Sequence, residues 1–166
     1  MKPPIQIVDT DDRLTGHKLR GTLDYQTDIY RVAALWLTNT MGDILLAQRK
    51  HTKDRDPGLW GPAVAGTLDK GETYTTNIYK ETEEELGIND VTFQLGPKQR
   101  IYAPRNYFCQ WFTVRLDRPA ASFILQEEEV EAVRWLTAAE LAADVQAHPQ
   151  HYIPAMPHIL KLLTDG

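Results

Sequence analysis

Apolar residues recur along the chain in patterns that predict its secondary structure. Runs rich in β-branched and aliphatic residues, bounded by Gly, Pro, Asn and Asp, are typical of short strands. They predict strands at residues 5–9, 18–23, 32–38, 44–49, 63–68, 91–103, 107–116 and 130–136. The first two strands would form an N-terminal hairpin at about residues 5–23, and residues 39–43 would connect a second hairpin.

A helix is predicted between residues 73 and 87. Thr73 suits the N-cap, because its hydroxyl can accept a hydrogen bond from an amide of the first turn. Gly87 suits the left-handed position that ends a helix. Helical spacing places a set of side chains on one arc that can pack against a sheet, namely Ile78, Tyr79, Thr82 and Leu86.

Two further helices are predicted between about residues 137 and 163. Residues 137–140 have the pattern of a capping box, which begins a helix that extends to about residue 147. The last helix is predicted from about residue 154 to residue 163. Strands interleaved with helices predict an α/β protein with a sheet between helices. A chain of 166 residues is expected to form one domain, 1–166.

Three carboxylates share a second arc of the central helix. Glu81, Glu84 and Glu85 are spaced at i, i+3 and i+4, so their side chains lie on one face and repel one another. Converging carboxylate oxygens are the ligands that hard divalent cations such as Mg²⁺ and Mn²⁺ prefer. A solvated acidic helix face is the alternative interpretation of these three residues alone.

The stretch around this helix resembles the box of the Nudix hydrolases. That box has a glycine, five residues, a glutamate, seven residues, and then Arg-Glu-hydrophobic-x-Glu-Glu-x-Gly-hydrophobic. Lys80 stands in place of the arginine and lacks its bidentate fork, and Thr82 replaces the hydrophobic residue. The positions that match in register are Gly66, Glu72, Glu81, Glu84, Glu85, Gly87 and Ile88.

This resemblance implies a fold, a cofactor and a reaction. The fold would be an α-β-α sandwich with a mixed β-sheet between helices. Glu81, Glu84 and Glu85, together with the carbonyl of Gly66, would bind Mg²⁺ or Mn²⁺ and provide the catalytic carboxylates. The substrate would be a small molecule with a diphosphate linkage, of the nucleoside diphosphate type or related to it, and the enzyme would hydrolyse that linkage.

Other charged residues have expected supporting roles. Glu72 and Lys80 are expected to pair and brace the loop and helix. The acidic turn at residues 127–131 is either solvated or provides an extra metal ligand or general base, as in many Nudix enzymes. Glu128 and Glu129 are the candidates for that catalytic role.

From residue 48 onward the chain resembles the Nudix branch related to isopentenyl-diphosphate isomerases. That resemblance implies that Arg49 and Lys53 bind the substrate phosphates, although an ordinary solvated loop would have a similar composition. Ala65 stands where the branch has its catalytic cysteine, and Thr67 stands where it has a metal-binding histidine. Because alanine cannot transfer a proton, hydrolysis is expected and isomerisation is not.

Composition narrows the classes of protein that remain. A net charge of −5 argues against general nucleic-acid binding, which requires a basic surface. The chain contains no apolar run that approaches membrane-spanning length and no signal-peptide core. Cys109, the single cysteine, can form no internal disulfide, which is compatible with the cytoplasm. A cytoplasmic protein without a membrane partner is expected, and a homodimer is left open.

Two other functions are compatible with the box. One is a diphosphate isomerase, which Ala65 and Thr67 disfavour. The other is a non-catalytic Nudix domain that binds a nucleotide as a sensor, which the complete set of box glutamates disfavours. The identity of the substrate beyond its diphosphate is not apparent from the sequence.

Overall fold

The computed structural model describes residues 2–164. Within this range the strands are β1 (Ile5–Val8), β2 (Leu14–Lys18), β3 (Ile29–Thr38), β4 (Ile44–Arg49), β5 (Trp60–Pro62), β6 (Val64–Thr67), β7 (Gln94–Ile101), β8 (Tyr107–Arg115) and β9 (Val130–Leu136). The α-helices are α1 (Tyr74–Leu86), α2 (Ala138–Ala147) and α3 (Met156–Thr164).

All of these strands belong to one mixed sheet organised around β3. One edge of β3 pairs in parallel with β8, and β8 pairs with β7. The other edge of β3 pairs antiparallel with β1, β6 and β4. Strand β2 extends the sheet from β1, while β5 and β9 pair with β4. The expected mixed sheet is confirmed.

The two faces of the sheet pack against different helices. Leu35 of β3 belongs to a buried cluster with Ile78 and Leu86 of α1. Trp36, the next residue along the strand, belongs to a cluster on the opposite face with Met156 of α3. Successive side chains of a strand point to opposite faces, so a central strand that is apolar throughout becomes buried on both sides. The molecule is therefore an α/β sandwich, as expected.

Local capping defines both ends of α1. The Thr73 hydroxyl accepts a hydrogen bond from the Thr76 amide at 3.0 Å, and the Thr76 hydroxyl accepts one from the Thr73 amide at 2.9 Å. Gly87 ends the helix with φ 71°, a left-handed conformation that glycine adopts without steric cost. The predicted start and end of this helix are confirmed.

The apolar arc of α1 is narrower than predicted. Its buried members are Ile78, Thr82 and Leu86. Tyr79 lies at the border of the arc with 36% of its surface exposed, and its ring stacks on Phe93 at a centroid distance of 4.5 Å.

The predicted second strand, at residues 18–23, is wrong. The strand lies earlier, at Leu14–Lys18, and residues 20–22 form a 3₁₀ turn. The Asp9 carboxylate accepts hydrogen bonds from the amides of Asp11 and Arg13, and Asp12 adopts φ 61°. This compact side-chain turn reverses the chain sooner than the polar composition of residues 11–16 indicates.

The second hairpin is only partly formed. Its turn is present, but β3 and β4 pair at Thr38 and Ile44 alone before they separate to take other partners. The structure also contains β5, which was not predicted and pairs antiparallel with β4. Because β5 returns to β4, the basic segment at residues 50–59 becomes a closed loop at one end of the sheet. The remaining strands and the last two helices lie within about three residues of their predicted positions.

Within residues 2–164, no helix combines the length and the apolar composition that crossing a bilayer requires.

Candidate active site

A cavity of about 350 Å³ lies where β6 and the end of β4 face α1. The residues of its wall come from widely separated parts of the chain, which the sheet and α1 bring together. Those predicted from the sequence are Arg49, Lys53, Gly66, Lys80, Glu81, Glu84, Glu85 and Glu129.

Strand β6 and helix α1 approach each other most closely at Gly66. A Cβ atom at this position would lie 2.5 Å from Cγ of Glu81 and 2.8 Å from Oδ1 of Asn77. Such contacts are much shorter than van der Waals distance, so only glycine fits without displacing the helix side chains. The glycine of the box therefore allows the Glu81 side chain to lie against the strand.

The glutamates of α1 differ in their exposure to water. Glu84 is exposed, while Glu81 and Glu85 are half-buried, and Oε2 of Glu85 is shielded from solvent without a hydrogen-bond partner. Burial, followed by the charges of Glu81 and Glu129, raises the pKa of Glu85 well above its usual value. Burial is also the main reason that the pKa of Glu81 is raised. The surrounding protein therefore disfavours negative charge on these two carboxylates.

Glu72 and Lys80 make the contact that the sequence predicts. Lys80 Nζ forms an ion pair with Glu72, and the other oxygen of Glu72 accepts hydrogen bonds from the Asp69 amide at 2.9 Å and from Asn77 Nδ2 at 2.8 Å. Burial opposes the charge on Glu72, but these bonds outweigh it and lower the pKa of the carboxyl group. The network joins the loop before α1 to the second turn of the helix, next to Glu81.

The basic residues of the 50–59 loop and the end of β4 are not equivalent. Lys53 forms an ion pair with Glu129, so its charge is neutralised. Within residues 2–164, neither Arg49 nor Arg55 has a carboxylate partner within ion-pair distance. Burial and the neighbouring charge of Arg55 lower the pKa of Arg49. The carboxylates of Asp56, Glu129 and Glu85 act on Arg49 only from beyond ion-pair distance. Two adjacent guanidinium groups without a direct ion pair are a strong candidate for an anion site.

The acidic turn brings only one of its two candidates to the cavity. Glu129 lies in the cavity wall, close enough for its charge to affect Glu85. Glu128 is exposed and is not part of the wall, so the structure does not place it in the site. Because β9 begins at Val130, Glu129 is held by the start of the strand, whereas Glu128 points out of the preceding turn.

Several residues of the wall were missed by the sequence analysis. Arg55 was one basic residue among several in its loop, and only the structure shows that it has no ion-paired carboxylate among the described residues. Lys2 and Arg20 reach the same cavity from the N-terminal segment, where Arg20 also forms an ion pair with Asp69 at 2.6 Å. Their positions depend on the fold of the β1–β2 hairpin, for which the sequence analysis predicted the wrong second strand.

Comparison with known proteins identifies the family. The NUDIX domain profile matches residues 29–156, which is most of the chain. The chain belongs to the Nudix family. It is 31% identical over 160 residues to an uncharacterized Nudix hydrolase of Pseudomonas aeruginosa, covering 96% of this chain and 92% of that protein. It is 29% identical over 139 residues to the uncharacterized Nudix hydrolase YfcD of Escherichia coli K12, covering 84% and 76%.

Solved structures agree with the Nudix fold. The DR0079 protein of Deinococcus radiodurans superposes with a TM-score of 0.84 at 21% identity, covering 95% of this chain and 97% of that chain. An Ap4A hydrolase of C. elegans superposes with a TM-score of 0.56 at 18% identity, covering 81% and 96%. At these identities the similarity supports the fold alone. Family membership makes this protein a Nudix hydrolase, an enzyme of the class that cleaves pyrophosphate bonds.

The carboxylates of this Nudix site provide the oxygen ligands that a divalent cation prefers. Oε2 of Glu85 has no partner, and the absence of a Cβ at Gly66 leaves room for Glu81 beside the strand. Both features are suited to a hard cation that accepts oxygen ligands. Among the described residues, however, no three acidic, histidine or cysteine side chains already converge on one point. Binding of a cation would therefore require the glutamate side chains to move toward one another, which their flexibility permits.

The two positions at which the sequence resemblance predicts a difference from the isomerases lie next to the carboxylates. Ala65 and Thr67 flank Gly66 on β6, and both contribute to the cavity wall. Cys109 is buried on β8 and does not border this cavity. Burial raises the pKa of its thiol. The carboxylate cavity therefore has no thiol or imidazole in the wall that the structure describes.

Proposed function

We propose that this Nudix hydrolase uses Mg²⁺ or Mn²⁺ to hydrolyse a diphosphate linkage in a small molecule, a nucleoside diphosphate-type compound or a related one. The observation that supports this most directly is the arrangement of charges in one cavity. The cavity wall contains three box glutamates together with Arg49 and Arg55, neither of which has a carboxylate within ion-pair distance among residues 2–164. A diphosphate bridging a divalent cation and a guanidinium pair would neutralise both sets of charges.

The cation would be held by Glu81, Glu84 and Glu85 with the carbonyl of Gly66. When bound, it would neutralise diphosphate oxygens and make a coordinated water more acidic. Arg49 and Arg55 would orient the diphosphate by donating hydrogen bonds to its remaining oxygens. Glu72 and Lys80 would keep the first turns of α1 in place against the loop.

The protein would also accept the proton that hydrolysis releases. We assign this role to the carboxylate oxygen of Glu81 that does not hold the cation. Glu129 is closely paired with Lys53, whereas Lys80 lies 3.6 Å from Glu81 and has Glu72 as its close partner. As the proton moves to Glu81, the water oxygen forms a new bond to phosphorus. The bridging phosphorus–oxygen bond breaks, and the phosphate-containing leaving group departs with the bonding electron pair.

The proposal is tested by release of phosphorylated products from a panel of diphosphates, separated by chromatography, because a nucleotide sugar cleaved at its diphosphate gives two phosphomonoesters and no inorganic phosphate. Nucleoside diphosphates and triphosphates, nucleotide sugars, dinucleoside polyphosphates and prenyl diphosphates would each be incubated with Mg²⁺ and, separately, with an excess of chelator. Mg²⁺-dependent release from at least one compound at enzymatic rates is expected. Tight binding of a nucleotide without any release would instead support a non-catalytic sensor.

Substitution of the guanidinium pair should weaken substrate binding. Arg49→Ala and Arg55→Ala are each expected to raise KM for the best panel substrate about 10- to 100-fold, because each removes a charge-assisted contact to phosphate. The effect on kcat should be smaller. Arg115→Ala is the matched control, since Arg115 is exposed at the end of β8 and borders neither the glutamates nor the loop. Unchanged KM in both Arg49 and Arg55 variants would remove this pair from the binding site.

Isomerase activity is expected to be absent. Isomerisation needs a proton donor and a base placed on either side of a carbon skeleton, and Ala65 provides neither. Incubation with isopentenyl diphosphate, Mg²⁺ and deuterated water should give no deuterium in dimethylallyl diphosphate. Enzymatic incorporation of deuterium into that product would contradict the proposal and would favour the isomerase alternative.

A further inference from the structure

A second cavity of about 110 Å³ adjoins the first. The two share Arg49, Arg55, Ala65 and Gly66 in their walls, so the guanidinium pair stands at the junction between them. A molecule whose diphosphate lies beside Arg49 and Arg55 would extend its next group into this second cavity. The residues around that cavity would therefore contact this group and influence which substrates the enzyme accepts.

An ion pair lies in the wall of the second cavity. Arg105, in the turn between β7 and β8, donates to Asp56 through Nη1 at 2.8 Å and through Nη2 at 3.3 Å. The two side chains are only 23% and 19% exposed. The bidentate contact leaves further acceptor positions on the carboxylate and further donors on the guanidinium.

The backbone at Asp56 has an unusual conformation. Its φ is 47°, in the left-handed region that side chains other than glycine seldom adopt. Such residues concentrate at ligand sites, where the surrounding structure maintains them. This conformation is followed by the turn at residues 57–58, and it places the Asp56 carboxylate at the cavity together with Arg105.

Aromatic rings hold the guanidinium groups of this region. Arg55 lies 5.8 Å from the ring centroids of both Tyr25 and Tyr30 and donates to the Tyr30 hydroxyl at 3.2 Å. Arg105 lies 5.7 Å from the ring centroid of Tyr25. Tyr30 stacks on Tyr107 at a centroid distance of 5.3 Å, and both rings border the cavity. Planar groups therefore surround a polar end of the cavity, while its remaining wall is largely apolar.

We propose that Asp56 and Arg105, with Arg55, form a specificity subsite that selects substrates with a polar ring next to the diphosphate and rejects those with a hydrocarbon chain there. The inference rests on the proposed function, because it assumes that the diphosphate occupies the first cavity. A polar ring offers donors to Asp56 and acceptors to Arg105. A hydrocarbon chain would cover both charged groups without replacing their contacts with water, which is costly.

Four ligands that differ in the group attached to the diphosphate test this proposal. Uridine diphosphate has a sugar and a base, 5-phosphoribosyl 1-diphosphate has a sugar only, geranyl diphosphate has a hydrocarbon chain, and pyrophosphate has no organic group. The wild type would be compared with Asp56→Asn, Arg105→Ala and Arg105→Lys, each checked for a native circular dichroism spectrum and melting transition. Arg118→Ala is the matched control, since Arg118 pairs with Asp90 at 3.0 Å on a surface that borders neither cavity.

Ligands that are hydrolysed would be compared by kcat/KM and the others by Kd from calorimetric titration. The wild type should favour uridine diphosphate over geranyl diphosphate by at least about tenfold. Asp56→Asn and Arg105→Ala should each reduce that preference by about tenfold, the effect of losing one contact to a charged group. Their affinity for pyrophosphate should stay within about twofold of the wild-type value. 5-Phosphoribosyl 1-diphosphate has a sugar next to the diphosphate and no base, so it should follow the nucleotide. If it instead follows geranyl diphosphate, a subsite for the ring next to the diphosphate is overturned.

An unchanged preference in a folded Asp56→Asn protein would overturn the subsite. An equal loss of kcat/KM or affinity for all four ligands, pyrophosphate included, would also overturn the subsite. The ion pair would then only stabilise the contact between two loops. Failure of the proposed function gives a different result, in which no ligand releases phosphate. The ratio of the Kd values for uridine diphosphate and geranyl diphosphate would then still decide whether the subsite prefers a polar ring.

Discussion

Replacing Glu85 by glutamine is expected to lower kcat by about 10²- to 10⁴-fold while the protein remains folded. Glu85 lies in the cavity wall with an oxygen that has no partner and a raised pKa. The substitution keeps the size of the side chain and removes the negative charge that a bound cation requires. Glu84→Gln is also expected to lower kcat. Steady-state phosphate release with saturating Mg²⁺ measures the effect.

The matched control is Glu83→Gln on the same helix. Glu83 is exposed and is not part of the cavity wall, so this variant should retain wild-type kcat. Without metal, Glu85→Gln should unfold at no lower a temperature than the wild type. A carboxyl group whose pKa is raised by folding stabilises the fold at low pH, and that contribution is lost as the pH rises through the raised pKa. Near-normal Mg²⁺-dependent turnover in Glu85→Gln would remove the glutamate from the metal site.

Gly66→Ala is expected to cause the second large loss, about 10²-fold in kcat/KM. Its Cβ would lie 2.5 Å from Cγ of Glu81, so the added methyl group must push that glutamate away from β6. A misplacement of about 1 Å at a reacting centre can cost about 10²-fold in rate. Overpacking should also destabilise the fold by about 1–3 kcal/mol. Denaturant titration and phosphate release, measured on the same preparation, separate the two effects.

Gly16→Ala provides the comparison for this variant. Gly16 lies on β2, and apart from its chain neighbours no atom lies within 4 Å of the position that a Cβ would take. Its replacement should leave kcat/KM within about twofold of wild type. If Gly66→Ala proved as active as Gly16→Ala, the close packing of β6 against Glu81 would have no catalytic importance.

The helix of the active site could be predicted because its determinants are local. Thr73, Gly87 and the spacing of the glutamates specify its start, its end and its acidic face within a single stretch of sequence. The bounds of the N-terminal hairpin could not be predicted as accurately. Its register depends on the Asp9 side chain, which bonds to two backbone amides and shortens the turn.

The cationic part of the site could not be predicted fully because it depends on distant partners. Lys53 and Arg55 look alike in the sequence, and only the fold shows that Lys53 is paired with Glu129, 76 residues further along the chain. The contact between Asp56 and Arg105 likewise joins two loops 49 residues apart. Sequence spacing identifies groups on one helix face, whereas the partners of loop residues follow from the topology of the sheet.

We propose that this enzyme hydrolyses a diphosphate at phosphorus with a divalent cation held by the box glutamates. It is tested most directly by turnover of the best panel substrate in ¹⁸O-labelled water with Mg²⁺, followed by mass spectrometry of the products. One ¹⁸O atom per cleavage is expected on a phosphate product, and this labelling should be lost on chelation of the metal and in Glu85→Gln. Turnover that continues at the same rate without divalent cation, or label found only on carbon, would contradict it.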